Sequence, residues 1–219
     1  MPSSNVYNKQ VFAQKHPENW MEFWDTKAFP GPRTLPDMAT GQPPLEFALI
    51  ADGVAPDKLY PIDLNRAFKS LTRIRPSVPK FWDTGALSAQ LLVNKEVVLG
   101  ALWNGRTQTV IDGGAPAAIE WNQNMIQVQA YGIPKNARNP KGAQEFVDFA
   151  SQASSQLTYS RDMRYGPSNL KAYDMLPKDL LEILPGGPKY RSIGFYQDIN
   201  WWEDNRDKVN RAWSAWVLG

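Results

Sequence analysis

Apolar residues recur at helical spacing in six segments of the chain, which predicts six amphipathic helices. The first, in ENWMEFWD, is short and carries three aromatic residues on one face. The others are PPLEFALIADG, PIDLNRAFKSLTRIRP, GALSAQLLVNK, the long NPKGAQEFVDFASQASSQLTYS and the final NWWEDNRDKVNRAWSAWVL. In the final helix, Val209, Trp213 and Trp216 are expected to face inward.

Short apolar or alternating runs between these segments predict strands. They are residues 6–12, the run that follows FPGPR, EVVLGALW, AAIEW and MIQVQAYGIP. The stretch between the long helix and the final helix is expected to be irregular. Because strands alternate with helices, the pattern predicts an α/β sheet rather than a sandwich or a helical bundle.

Composition narrows the function classes. The formal net charge of the 219 residues is +2, and the basic residues are scattered, which argues against nucleic-acid binding. The absence of cysteine excludes disulfides, zinc–thiolate sites and thiol nucleophiles. No apolar run is long enough to span a bilayer, and the N-terminal MPSSNVYNKQ lacks the features of a signal peptide.

Signatures of catalysis are weak. His16 is the single histidine, precedes Pro17 at an expected helix start, and cannot form a metal cluster alone. The sequence has no nucleophile elbow, no phosphate-binding loop and no dinucleotide fingerprint. We therefore predict a protein that is not an enzyme and uses no cofactor or metal.

The nine tryptophans are the informative residues. Trp82 precedes an expected helix, and Trp103 and Trp121 end expected strands beside polar turns. Ligands of open α/β sheets collect at strand ends, where a tryptophan can present one flat face. Two interpretations stay open on the pattern alone: a recognition site, or three loop tryptophans that close over the core.

A family resemblance extends this interpretation. The chain carries, in this order, ENWMEFWDTKAFPGPRTL, ALIADGV, LYPIDLNRAFKSLTRIRPSVPKFW, VVLGALWNGR, YGIPKNARNPKGAQEFVDFA and YGPSNLKA. This succession resembles periplasmic solute-binding proteins of bacterial ABC importers, and in particular their spermidine/putrescine-binding branch. The resemblance implies a type II-like periplasmic-binding-protein fold, in which two α/β lobes close on a solute that a membrane permease then receives.

The resemblance also implies domain boundaries. Residues 11–127 would form one complete lobe, residues 128–172 the return hinge strand and helices of a truncated second lobe, and residues 173–219 a helical segment that packs back on the complete lobe. The first part of the truncated lobe would be missing. We therefore expect the helix that starts at Pro140 to expose an apolar face, and the fragment to self-associate through it.

Seven ligand-binding candidates follow from the resemblance: Trp103, Arg106, Trp121, Gln123, Thr84, Tyr165 and Glu46. Relatives that bind polyamines have W-x-x-D where this chain has Trp103 and Arg106. They have W-x-D where it has Trp121 and Gln123. Thr84 falls near a serine of the relatives, Tyr165 matches an aromatic residue of the truncated lobe, and Glu46 lies near an acidic position.

These departures change the expected ligand. A desolvated ammonium beside Arg106 would meet a like charge and would lack its carboxylate, so a polyamine is disfavoured. We expect an anionic or zwitterionic solute, with Glu120 or Glu46 answering a cationic end, and weak binding by this chain alone. Three alternatives stay open: a solvent-facing Arg106 or its ion pair with Asp112, polyamine binding through acids of the missing lobe, and a tryptophan-rich carbohydrate-binding module or hydrolase.

Overall fold

The computed structural model describes residues 3–219, with nothing stated of the Pro188 side chain. Its strands and helices are β1 (Ser3–Asn8), α1 (Trp20–Trp24), β2 (Arg33–Pro36), α2 (Leu45–Ala51), α3 (Leu64–Ile74), β3 (Lys80–Trp82), α4 (Gly85–Val93), β4 (Leu99–Trp103), α5 (Asn104–Asp112), β5 (Ala117–Ile126), α6 (Pro140–Ala150), α7 (Ala153–Met163), α8 (Leu170–Met175), α9 (Lys178–Leu181), α10 (Pro188–Arg191), β6 (Phe195–Tyr196) and α11 (Ile199–Leu218). Short 3₁₀ turns cover Met38–Thr40, Pro56–Lys58 and Arg75–Ser77.

The strands form one six-stranded mixed sheet in the order β3-β2-β4-β1-β5-β6. β2 is parallel to both β3 and β4, and β5 is parallel to β6. β1 lies antiparallel between β4 and β5, so the first described segment occupies the middle of the sheet. The predicted α/β class is confirmed.

Apolar side chains fill both faces of the sheet. On one face, a large core brings α1, α2, α3 and α11 together and includes Trp20, Phe47 and Leu71. On the other face, α4 and α5 cover a smaller core that includes Val6 and Trp82. Burial of this apolar surface is the main term that favours the fold.

The final helix packs against the α3 side of the large core. Trp213 makes an edge contact with Phe81 at a centroid distance of 5.4 Å. Arg75 donates to the carbonyl oxygens of Trp216 and Val217, both at 2.6 Å, which satisfies carbonyls that the helix itself leaves free. Trp213 is buried and Trp216 partly buried, as the spacing predicts.

The prediction of the first strand was wrong in its bounds, because β1 ends at Asn8 rather than at residue 12. The Asn8 side-chain oxygen accepts the backbone N–H groups of Gln10, at 2.9 Å, and Val11, at 3.4 Å. This turn competes with continued strand pairing.

The long helix predicted from residue 139 to residue 160 is two helices, α6 and α7. The break falls at Ser151 and Gln152, where Gln152 has extended backbone angles. Asn169 donates its side-chain amide to the Ser151 carbonyl at 2.9 Å, and thus binds an acceptor at the end of α6.

Three other predictions were wrong. AAIEW and MIQVQAYGIP were predicted as two strands. Instead, β5 continues without a break from AAIEW into the first two residues of MIQVQAYGIP and ends at Ile126. The polar turn expected next to Trp103 is instead the start of a helix, α5. The stretch expected to be irregular contains α8, α9, α10 and β6. The division into residues 11–127, 128–172 and 173–219 stays a prediction.

Candidate ligand-binding site

Two helices begin at the same edge of the sheet. β3 leads into α4 and β4 leads into α5, and both strands run in the direction of β2. Their carboxyl ends therefore lie side by side, which is where open α/β sheets bind ligands. The residues at these two junctions are Thr84 and Gly85 after β3, and Trp103 and Asn104 at the end of β4.

Gly85, Trp103 and Arg106 are in direct contact. A Cβ atom added to Gly85 would lie 3.0 Å from Cε3 of Trp103 and 3.1 Å from Cγ of Arg106. The glycine thus allows the start of α4 to approach the tryptophan ring and the stem of the arginine. We refer to Gly85, Trp103, Arg106 and Tyr165 as the arginine corner.

Trp82 is buried beneath the arginine corner and packs against Trp103. It is fully buried and donates its indole N–H to the Ala101 carbonyl at 2.9 Å. Its ring meets Trp103 edge-on, with 4.9 Å between centroids. Trp82 is therefore a core residue that orients Trp103, rather than a second exposed tryptophan.

Tyr165 joins the corner from the segment after α7. A Cβ atom added to Gly105 would lie 2.8 Å from Cε1 of Tyr165 and 2.6 Å from the Met163 carbonyl oxygen. Burial raises the pKa of the Tyr165 hydroxyl, while the positive charge of Arg106 acts in the opposite direction. Arg106 and Tyr165 therefore lie close enough for the charge of Arg106 to act on the Tyr165 hydroxyl.

The Arg106 guanidinium is exposed and forms no hydrogen bond or ion pair with any residue from 3 to 219. Asp112, the alternative partner expected from the sequence, instead pairs with Arg164 at 3.2 Å. Arg106 lies in the first turn of α5, which begins after Trp103 without a side-chain cap. Free backbone N–H groups and the positive end of the helix dipole are therefore present at the same place.

Thr84 has a structural role that the sequence did not predict. Its hydroxyl accepts the Leu87 backbone N–H at 3.2 Å and caps the start of α4. The side chain is exposed and lies next to Gly85, so it borders the arginine corner.

Trp121 and Gln123 lie elsewhere. Trp121 is 8% exposed, sits inside β5 and stacks on Tyr190 with 4.6 Å between centroids. The side-chain oxygen of Gln123 accepts a hydrogen bond from the Trp20 backbone N–H at 3.0 Å. The backbone carbonyl of Gln123 accepts another from the Trp20 indole N–H at 2.9 Å. Both residues hold core elements together, and the structure does not bring them to Trp103.

Glu46 is also removed from the corner. It is fully buried in α2 and accepts hydrogen bonds from the Tyr60 hydroxyl at 2.6 Å and the Trp202 indole at 2.7 Å. Burial raises the pKa of its carboxyl group, while these donors act in the opposite direction. Glu120 also has a partner, because its Oε2 atom lies 3.1 Å from Nε2 of His16.

An open cavity of about 680 Å³ lies beside the corner and shares Tyr165 with it. Its lining includes four tyrosines that the sequence analysis did not select: Tyr131, Tyr159, Tyr173 and Tyr196. No three histidine, aspartate or glutamate side chains of residues 3–219 come together as metal ligands. Among the same residues, no helix is long and apolar enough to cross a membrane.

Comparison with known proteins shows the family to which the chain belongs. Residues 3–181 match the family described as bacterial extracellular solute-binding protein. The γ-aminobutyric acid-binding protein of Pseudomonas aeruginosa is 32% identical over 206 residues, which are 92% of this chain and 58% of that protein. The spermidine/putrescine-binding periplasmic protein 1 of Haemophilus influenzae is 24% identical over 211 residues, 94% of this chain and 54% of that protein.

A solved structure covers almost the entire chain. The ABC transporter substrate-binding protein from Bradyrhizobium japonicum USDA 110 is 36% identical and superposes with a TM-score of 0.89 over 99% of this chain and 67% of its own. The chain therefore belongs to the bacterial extracellular solute-binding proteins, with their type II-like fold. It spans little more than half the length of the two curated relatives.

Proposed function

We propose that this chain is the solute-binding part of a bacterial ABC importer, which captures a small solute with an anionic group and delivers it to a membrane permease. Family membership and the Bradyrhizobium japonicum relative support the importer assignment. The Haemophilus influenzae relative is named as periplasmic, and we infer the same compartment for this protein.

The exposed Arg106 beside Trp103 is the observation that carries the ligand class. Arginine binds carboxylate and phosphate groups with two parallel hydrogen bonds. The N-terminus of α5 adds free backbone N–H groups and a favourable dipole at the same place. Trp103 offers a partly exposed ring against which the body of the solute can stack.

A zwitterionic solute fits this corner better than a polyamine does. The Pseudomonas aeruginosa relative is named for γ-aminobutyric acid, which carries a carboxylate and an ammonium group. An ammonium group held against Arg106 would meet repulsion between like charges. Glu46 and Glu120 both have other partners, so we no longer assign the cationic end of the solute to either of them.

We infer further that the protein binds its solute without converting it. The arginine corner contains a cation, two aromatic rings and a glycine, and it has neither a nucleophile with an adjacent base nor a carboxylate pair. Such a site can position an anionic group, but it lacks the paired groups on which nucleophilic catalysis and glycoside hydrolysis depend.

A titration panel tests the ligand class. ¹⁵N-detected NMR of the tryptophan indole N–H groups would follow Trp103 against γ-aminobutyric acid, other amino acids, dicarboxylates, putrescine and spermidine. We expect the carboxylate-bearing solutes to shift the Trp103 signal and the diamines to leave it unchanged. Hydrolysis of any member of a glycoside panel would refute the non-enzyme assignment.

Two arginine variants provide the controls. Arg106→Ala should weaken carboxylate binding by about 10-fold or more, the usual effect of losing a charged hydrogen bond. Arg211→Ala removes an exposed arginine from α11, and binding should stay unchanged. A preference for diamines that is indifferent to Arg106→Ala would show that the site binds cations instead.

A further inference from the structure

Arg164 holds a backbone conformation that arginine rarely adopts. It ends α7 with a φ of 59° and a ψ of 28°, which lie in the left-handed region. Glycine and asparagine are the usual residues there, because a Cβ atom crowds the backbone. Other residues keep such a conformation where the surrounding contacts impose it, and these places are often functional sites. The contacts of Arg164 come from both ends of α5.

The backbone around Arg164 is attached to the first turn of α5. The Asn104 side-chain amide donates to the Arg164 carbonyl at 2.5 Å, and Asn104 is fully buried. On either side of Arg164, the Met163 carbonyl oxygen and the Tyr165 ring both close on Gly105. Three consecutive residues at the end of α7 thus contact the start of α5.

The Arg164 side chain is attached to the other end of α5. Its guanidinium donates to Oδ2 of Asp112 at 3.2 Å, and Gln108 donates to Oδ1 of the same carboxylate at 2.8 Å. Gly105, Gln108 and Asp112 are spaced at i, i+3 and i+7, so they share one face of α5. A carboxylate at the negative end of a helix dipole is unfavourable, and a neighbouring cation compensates it. Arg164 therefore spans two turns of α5 and is held at both ends.

These bonds decide where Tyr165 lies. They join residues that are 52 and 60 positions apart, and so connect the segment after α7 to α5. Tyr165 follows Arg164 directly, and its ring covers Gly105. There the Tyr165 hydroxyl is close enough to Arg106 for the charge of the guanidinium to act on it. The direction of the tyrosine thus depends on how the residue before it is held.

We propose that Arg164 is a positioning residue of the ligand-binding site. By bonding to both ends of α5, it places the Tyr165 ring beside Arg106 and fixes the aromatic side of the arginine corner. The inference rests on the proposed function, because it concerns the same site. Arg164 itself does not contact the solute, since its guanidinium binds Asp112 and donates to the Arg161 carbonyl at 2.6 Å.

The placement of Tyr165 can be measured without any ligand. In wild type we expect a nuclear Overhauser effect between the Tyr165 ring protons and the Gly105 Hα protons, since the ring packs on this glycine. Arg164→Gly suits the left-handed backbone but removes the guanidinium. We expect this variant to lose at least half of the effect. Arg161→Ala removes an exposed arginine one turn earlier in α7 and should retain it. An unchanged effect in Arg164→Gly would overturn the proposal.

The same variant shows whether the position of Tyr165 matters for binding. The Trp103 indole signal would be followed against γ-aminobutyric acid, other amino acids and dicarboxylates. We expect Arg164→Gly to weaken carboxylate binding by about 5-fold, the most that loss of one partly exposed ion pair usually produces. Arg164→Lys keeps a cation opposite Asp112 and should recover most of the affinity. A displaced tyrosine with undiminished affinity would overturn the role of Arg164 in the site.

Asp112→Ala separates positioning from direct contact, because it releases the Arg164 guanidinium without removing it. We expect this variant to weaken the Overhauser effect and carboxylate binding as Arg164→Gly does, and the double variant to be no worse than either. Tighter or unchanged binding by Asp112→Ala would show that Arg164 contacts the solute, and would overturn the positioning role. A wild type that binds none of the carboxylates would refute the proposed function, whereas the Overhauser effect would still decide whether Arg164 places Tyr165.

Discussion

Close packing at two glycines, Gly85 and Gly105, shapes the arginine corner. Gly105 in α5 lies directly under Tyr165, with the Met163 carbonyl oxygen 2.6 Å from the place where a Cβ atom would stand. Because one neighbour is backbone, it cannot move aside as a flexible side chain would. The position of Tyr165 over α5 therefore depends on the absence of a side chain at residue 105.

A substitution at Gly105 tests this dependence. We expect Gly105→Ala to lower the free energy of unfolding by about 1–3 kcal/mol, the usual cost of overpacking. Gly132→Ala is the matched control, because an added Cβ atom would have no neighbour within 4 Å there. Urea denaturation monitored by tryptophan fluorescence measures both. Equal midpoints for the two variants would show that the site accommodates the methyl group.

Glu46 carries a fully buried carboxyl group. Burial raises the pKa of its carboxyl group above the ordinary value of 4.5, although the Tyr60 hydroxyl and the Trp202 indole both donate to it. A raised pKa means that folding favours the protonated form. The contribution of Glu46 to stability is thus fully present below pH 4.5 and is lost as the pH rises through the folded value.

The pH dependence of Glu46→Gln follows from this sign. Glutamine keeps a carbonyl acceptor for Tyr60 and Trp202 but carries no charge at any pH. We expect the stability of the variant relative to wild type to increase as the pH rises from 4.5 to neutrality. Urea midpoints at several pH values measure this, with the exposed Glu203→Gln as control. Parallel wild-type and variant profiles would mean that Glu46 does not titrate in this range.

At the scale of elements, the final helix is the part that is both well predicted and testable. The spacing of its apolar residues predicts which face points inward. On that face, Trp213 is only 3% exposed and packs against Phe68 and Phe81. Trp213→Ala should cost about 3–5 kcal/mol of unfolding free energy, since it leaves a large cavity. The partly exposed Val217→Ala should change stability by less than about 0.5 kcal/mol. A small effect at Trp213 would mean that α11 contributes little to the core.

Elements whose ends depend on tertiary contacts were predicted less well. The break between α6 and α7 coincides with a hydrogen bond from the Asn169 side chain to the Ser151 carbonyl, 18 positions away. α5 has only weak helical periodicity in NGRTQTVID, and its start is fixed by packing against Tyr165. Periodicity reports a buried face, so it cannot reveal helices that are positioned by contacts at their ends.

The candidate site was predicted in part. Trp103 and Arg106 lie together at the start of α5, and Tyr165 reaches them from the segment after α7; their role in ligand binding stays a prediction. Trp121 and Glu46 do not join them. Trp121 lies inside a strand that continues past its expected end, and Glu46 lies in a helix buried on nearly every side. Neither form of burial is visible in an alternating or periodic pattern.

At the scale of the whole molecule, the arginine corner forms one side of an open site. Sites for small ligands usually enclose most of the ligand surface, and a one-sided site loses much of that contact. We therefore expect this chain alone to bind its solute more weakly than micromolar. Isothermal titration calorimetry with the strongest solute of the panel measures this. Micromolar or tighter binding by the 219-residue chain would contradict the expectation.

The central claim is that Arg106 recognises an anionic group, and a double-mutant cycle between protein and ligand tests it most directly. The strongest carboxylate of the panel and its neutral amide would be titrated into wild type and Arg106→Gln, with the Trp103 indole signal as the readout. We predict that wild type prefers the carboxylate by about 10-fold or more and that Arg106→Gln loses this preference. An equal preference in both proteins would contradict the account.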